Sequence, residues 1–169
     1  MVFFVTSSEK PCCPVCGSRM VNKDWVRRIR KKAGGNREEY RIERKKCTAD
    51  ACGKVHRILP DIWLPFKHYE AELIENVIDG AISEKDLTVE DYPCEATMAR
   101  WAAWAEKVLR NAEGWLRSAG HRVLGLSDAF LKNPVSLLDE LKKRNPHGWL
   151  PIAILVMCNA GGDMRPPDP

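Results

Sequence analysis

The sequence predicts an α+β chain, with a small metal-clamped β-hairpin unit first and a mostly α-helical region after it. Three observations lead there. Two close cysteine pairs, Cys13-Pro14-Val15-Cys16-Gly17 and Cys47-Thr48-Ala49-Asp50-Ala51-Cys52-Gly53, stand about thirty residues apart. Between them lie two β-prone runs around a Gly-Gly break. From about residue 68 onward the apolar residues recur at helical spacing.

The cysteine pairs predict a four-thiolate zinc site on Cys13, Cys16, Cys47 and Cys52. Zinc takes soft tetrahedral ligands, and two tight turns supply four sulfurs. A glycine after each pair lets the backbone turn back, so that its amides face the thiolates. The second pair has four intervening residues, two more than the first. Cys12 offers an alternative first ligand, with a three-residue spacer to Cys16, and His56 a substitute further on. Cys13 is the better reading, because Cys-Pro-x-Cys-Gly makes the tighter turn. His56 reads better as a strand residue beside the site.

Val2–Val5 is apolar and β-prone, and reads as a strand entering the metal unit. Trp25–Arg30 and Tyr40–Lys46 flank Ala33-Gly34-Gly35-Asn36, the pattern of a hairpin. Two knuckles with a hairpin between them form a zinc ribbon, assigned to residues 1–64. Such a unit buries little, so the metal supplies much of its folding energy. Prolines 60 and 65 exclude a helix in the stretch that leaves the ribbon. Its Ile58, Leu59, Ile62, Trp63 and Leu64 are expected to pack the ribbon against the region C-terminal to it.

Residues 65–118 read as a helix-turn-helix region. Tyr69, Leu73, Ile74, Val77 and Ile78 mark a helix from His68 to Asp79. Glu70, Glu72, Glu75 and Asp79 read as its wet face. Ser83 and Asp86 suggest a capping box for a short helix reaching about Glu90, and Asp91-Tyr92-Pro93 is a turn. A long helix runs from Glu95 to about Ser118 on a stripe of Met98, Trp101, Ala105, Val108, Ala112 and Leu116. Trp104 and Trp115 on its flank are expected to be covered by the C-terminal segment.

Residues 119–160 form a C-terminal helical segment. Asn133-Pro134 reads as the start of one helix, carrying Val135, Leu137, Leu138 and Leu141, and Lys142-Lys143-Arg144 as its end. Trp149 to Cys158 is a buried apolar helix, too short for a membrane span. Residues 161–169 read as a disordered tail.

Charge is unevenly spread. Residues 1–60 carry 15 Lys+Arg against 6 Asp+Glu, residues 61–93 carry 2 against 9, and residues 94–169 carry 10 against 8. The positive block lies on the hairpin: Arg27, Arg28, Arg30, Lys31, Lys32, Arg37, Arg41, Arg44, Lys45 and Lys46. That exceeds what a zinc–tetrathiolate centre of charge −2 needs, and suggests phosphate binding. On the long helix Ala96, Arg100, Ala103 and Lys107 lie opposite the core stripe. Small residues around Arg100 would admit that face to a major groove, with Thr97 at its border able to bond a phosphate.

The cysteine turns, the Cys52-Gly53-Lys54-Val55-His56-Arg57-Ile58-Leu59-Pro60 run and Thr97-Met98-Ala99-Arg100-Trp101 resemble an uncharacterised bacterial family, a domain of unknown function found chiefly in Firmicutes. That resemblance covers nearly the whole chain. The layout up to about residue 118 is similar to the N-terminal zinc-ribbon and helix-turn-helix module of insertion-sequence transposases. It implies double-stranded DNA as partner, with Cys13, Cys16, Cys47 and Cys52 at the metal positions and a transposase or recombinase as a protein partner. Cys94 stands where a serine more usually caps the recognition helix.

Several function classes are excluded by what is missing. The sequence carries no phosphate loop, His-Glu-x-x-His motif or nucleophile elbow. Too few residues come after the long helix for the carboxylate-bearing sheet of a transposase core. Seven cysteines, an odd number, suit a reducing cytoplasm better than a disulfide scaffold. No secretory leader or membrane span is visible. The expectation is a zinc-dependent DNA-binding protein without catalysis, a regulator or mobile-element accessory. The alternative is an adaptor that docks on a larger nucleoprotein complex.

Overall fold

Strand β3 (Arg37–Cys47) is the centre of the first unit, because every other strand pairs with it. This computed structural model describes residues 2–32, 35–86, 93–120, 125 and 136–162. The chain divides into two units, Met1–Glu70 and Ala71–Pro169. In the first, β2 (Met20–Lys31) runs antiparallel along one edge of β3. On the other edge β1 (Val2–Val5) pairs in parallel, and β4 (Val55–Arg57) pairs antiparallel further along. The hairpin between β2 and β3 is as the sequence predicts, although Ala33 and Gly34 of its turn lie outside the described residues. The parallel docking of β1 was not legible, since pairing direction leaves no mark on four apolar residues.

Side chains alternate across the sheet. On one face Tyr40 and Ile42 join Trp63 in a buried cluster with Val5, Val26, Leu59 and Ile62. Leu59, Ile62 and Trp63 of the segment leaving the ribbon therefore cover the ribbon's own sheet. The other face carries Phe4, Trp25, Arg27, Glu39 and Arg41, with Phe4, Trp25 and Arg27 open to solvent, and Glu43 and Lys45, which are buried. A one-residue bulge between Asn22 and Asp24 keeps β2 in register with β3 around Lys23.

In the second unit, helix α1 (Ala71–Ile78) starts later than the predicted His68. Residues 68–70 instead extend the hairpin's end: the Lys31 N–H donates to His68 O at 3.2 Å, and the Glu70 N–H to Lys31 O at 3.0 Å. A single 3₁₀ turn, Glu84–Asp86, comes next, with the Ser83 N–H and hydroxyl donating to Asp86 Oδ2 at 2.7 and 3.0 Å. The rest of the predicted short helix and Asp91-Tyr92 lie outside the described residues.

Helix α2 (Glu95–Trp115) is the long predicted helix, and all six stripe residues are buried. It continues as a π-helical turn, Leu116–Gly120. Helices α3 (Leu137–Arg144) and α4 (Trp149–Asn159) pack on α2 and on each other, burying Leu137, Leu141, Trp149, Leu150, Ile154 and Met157. Trp104 is buried and Trp115 half-buried, with its indole nitrogen beside Gly162. Ser136 caps α3, accepting the Asp139 N–H. Asn133 and Pro134, the predicted start, and residues 163–169 of the predicted tail lie outside the described residues. Among the described residues no helix is long and apolar enough to cross a membrane.

Glu70, Glu75 and Asp79 do not form a wet face. Glu70 is buried against Arg30, while Glu75 and Asp79 reach α4. Spacing along one helix cannot reveal this, because the partners come from distant sequence.

Candidate metal centre and basic surfaces

The first cysteine turn is closed by the Gly17 N–H donating to Cys13 O and the Cys13 N–H to Ser18 O, both at 2.8 Å. Gly17 sits at φ +73°, a left-handed value that any side chain would strain. The second turn closes two residues past its first cysteine. The Cys52 and Gly53 N–H groups both reach back to Ala49 O, at 3.0 and 2.9 Å. Directly after Cys47, Thr48 donates to Arg19 O through its N–H at 3.0 Å and its hydroxyl at 2.9 Å. Thr48 thus ties the second knuckle to the first.

These turns bring the sulfurs of Cys13, Cys16, Cys47 and Cys52 within 4.8 Å of one another. Cys16 and Cys47 are 3.4 Å apart and Cys13 and Cys52 3.8 Å. Sulfurs at tetrahedral corners about 2.3 Å from a zinc ion would be about 3.8 Å apart, so the donor set fits that ion. Cys13 and Cys47 are buried with Met20. Cys12 is exposed and outside the group, and its backbone bridges to Arg19 instead. His56, on β4, places Nε2 3.4 Å from Cys13 Sγ, beside the group as a hydrogen-bond partner. Burial, then the Lys54 charge, lowers its pKa, which favours the neutral ring. Among the described residues this is the one cluster of three or more metal-ligating side chains.

The thiols differ in acidity. The Ser18 hydroxyl, then the Ser18 N–H and the Cys47 thiol, pull Cys16 down to about 6. At Cys47 the Ala49 N–H pulls down, but burial and the neighbouring sulfurs of Cys16, Cys52 and Cys13 together push it up to about 12. Cys16 is therefore more acidic than Cys47, and one negative sulfur makes the next harder to form. A divalent cation removes that conflict. Ser18 was not singled out in the sequence, although its place directly after the Cys-Gly turn is the signal.

The predicted phosphate contacts divide into two groups. Arg28, Arg30, Arg44 and Lys45 are engaged within their own unit. Arg28 donates to Leu64 O at 3.3 Å and to Lys67 O, with its guanidinium 4.8 Å from the Trp63 ring centroid. Arg30 bonds Glu70 at 2.6 Å and Glu38 at 3.2 Å. Arg44 holds Asp24 through two bonds, and Lys45 is buried between Asn22 at 2.8 Å and Glu43 at 3.3 Å. The legible signal was the interspersed Asp24, Glu38, Glu39 and Glu43; the hairpin register sets Asp24 across from Arg44 and Glu38 across from Arg30.

The second group faces solvent. Arg27 and Arg41 share Glu39, at 2.9 and 3.4 Å. Lys32 approaches Glu38 at 3.4 Å, and Lys31 lies 5.1 Å from the Tyr69 ring centroid. Arg37 and Lys46 are exposed. On α2, Arg100 folds back to donate to Thr97 Oγ1 at 2.9 Å and Ala96 O at 3.1 Å. Ala96, Ala99, Ala103 and Lys107 are exposed around it and Thr97 is half-buried. Cys94 stands at the N-cap of α2 with no side-chain cap bond, as its departure from serine suggests.

The fold and site define an α+β protein with a four-cysteine cluster, able to hold a metal ion, in its strand region. The chain belongs to the family described as a domain of unknown function (DUF6431), whose match spans residues 13–101, from the first clustered cysteine to Trp101 in α2. No curated protein and no solved structure matches the chain.

Proposed function

We propose that this chain is a zinc-dependent double-stranded DNA-binding protein without catalytic activity, a transcriptional regulator or the accessory of a mobile element. The observation that carries the reading is the outer face of α2. Exposed Ala96, Ala99 and Ala103 surround Arg100 and Lys107, while the opposite side of the same helix is buried. A helix with a low outer profile and two cations suits entry into a major groove. The expected order is helix, short helix, turn, helix; among the described residues α1, the 3₁₀ turn Glu84–Asp86 and α2 follow in that order, which suits a helix-turn-helix reading with α2 as the recognition helix. Four thiolates would close the coordination sphere of zinc, making the metal structural. The hairpin would then be a zinc ribbon, and its exposed cations would hold phosphates. Reduced thiols suit the cytoplasm, and a transposase or recombinase is the protein partner this reading brings.

Selection from a random duplex library tests it, followed by titration at several salt concentrations. A preferred duplex should emerge. Arg100→Ala should cost about 1–3 kcal/mol on that duplex and much less on random DNA. Equal weak binding of all duplexes by both proteins would remove the proposal.

A second reading is an adaptor docking on a larger nucleoprotein complex. It is favoured by one observation: four of the hairpin's cations are already engaged by neighbouring groups of their own unit.

A further inference from the structure

The open face of the sheet combines two features that folding alone does not favour. Phe4 and Trp25 are 69% and 45% exposed, and their rings meet edge to face with centroids 5.6 Å apart. Val2 is exposed on the same face. Beside the rings, Arg27 and Arg41 stand directly opposite each other across β2 and β3. Like charges in that position repel, and one carboxylate, Glu39, is shared between them. The Arg27 side chain is 58% exposed and that of Arg41 42%. Lys31 and Arg37 pair further along the same face.

We propose that this face is a stacking platform for single-stranded DNA. An aromatic ring left open to solvent offers a surface to any base, and flanking guanidinium groups neutralise the adjoining phosphates. Duplex DNA cannot use the rings, because its bases are already stacked. An apolar protein surface fits less well, since the centre of a protein interface is depleted of charge, whereas here an arginine pair adjoins the rings. The choice of DNA over RNA rests on the polar groups present. A 2′-hydroxyl needs its own donor or acceptor; on this face Asn22 Oδ1 accepts from Lys45, and the Glu39 carboxylate is shared by Arg27 and Arg41. Thymine brings a methyl group suited to the apolar rim. The rings lie on a different element from the duplex-reading helix, although Arg27 and Arg41 beside them are among the cations the duplex reading gives to phosphates, so the ring variants and Arg100→Ala are what separate the two.

The test uses the full zinc-loaded chain, a labelled oligo-dT of about 15 nucleotides, the matching oligo-U, and a random duplex. Oligo-dT should bind more tightly than the other two, and Trp25→Ala should weaken it roughly five- to hundredfold, the span of one stacked base. Trp25→Phe should restore most of the binding. Arg27→Gln with Arg41→Gln should lower the log–log salt slope on oligo-dT by about 1.4, or about 0.7 for each phosphate lost. Arg100→Ala should leave oligo-dT binding unchanged, which separates this platform from the duplex reading. Zinc content and circular dichroism of each variant check that the ribbon is intact. Absent oligo-dT binding, binding indifferent to Trp25→Ala in a folded protein, or tighter binding of oligo-U would each overturn the proposal. So would self-association that Phe4→Ser with Trp25→Ser abolishes, since the face would then be a protein interface.

Discussion

The carboxylate of Glu75 accepts the backbone N–H of Leu150 at 2.9 Å, across 75 residues of sequence. Its other oxygen accepts the Gly148 N–H at 2.7 Å. Helix α4 begins at Gly148, a residue at φ +91° with no side chain to cap it, so α1 supplies the cap. Asp79, one turn on, takes the Trp149 indole N–H at 2.7 Å and the Lys142 ammonium at 2.8 Å.

Glu75→Ala should therefore destabilise the helical unit. It leaves two N–H groups of a helix start without a partner, one of them at the fully buried Leu150. A cost of about 1–3 kcal/mol is expected, which for a domain of this size lowers the melting temperature by at least about 4 °C. Glu75→Gln should recover part of it through one amide oxygen. Thermal melts followed by circular dichroism check this, and a melt identical to the parent would show that solvent replaces the cap.

Acid should loosen α3 through Glu113. Burial raises its pKa, but the Leu137 and Leu138 N–H groups, the Ser136 hydroxyl and the Arg117 charge together hold it below the ordinary value near 4.5. The carboxylate accepts from Leu137 and Leu138 at 2.9 Å each. A depressed folded pKa means the stabilisation is fully present above the unfolded value and fades as pH falls through the folded one. Protection of the α3 amides in hydrogen exchange should fall below about pH 4.5, and Glu113→Gln should remove much of that dependence.

Metal content is the sharpest test of the first unit. Purified protein should hold about one zinc per chain. Cys12→Ser should keep that stoichiometry, whereas Cys47→Ser should lose affinity and unfold the hairpin. A metal-free chain that melts cooperatively, with the sheet intact, would rule out a metal-dependent ribbon.

Arg28 should behave as a structural residue. Burial, then the Arg57 charge, lowers its pKa to about 10, and its Nε is buried without a partner. Its guanidinium holds the Leu64–Lys67 turn, in which Phe66 sits at φ +61°. Arg28→Ala should lower stability by about 1–3 kcal/mol, since it removes packing and the donor to Lys67 O, while Leu64 O keeps the Lys67 N–H. Phe66→Gly should raise stability by about 1 kcal/mol by relieving the left-handed backbone. Denaturant titrations decide both, and equal midpoints for parent and Arg28→Ala would contradict the assignment.

The sequence by itself determined the local features. Two Cys-Gly turns, alternating β-type runs and a 3.6-residue apolar stripe each depend on neighbours within a few positions. The cysteine cluster and helix α2 from Glu95 were legible for that reason. Only the tertiary structure decided which charges remain available. A carboxylate's partner is set by strand register and helix packing, so Glu39 could join Arg27 to Arg41 while Glu70 took Arg30. The same holds for Glu75 and Asp79, which read as a solvated helix face until α4 is folded against them. Burial of the rings obeyed the same logic. Trp63 is covered because its segment turns back over Tyr40 and Ile42, whereas Trp25 on the opposite face is 45% exposed.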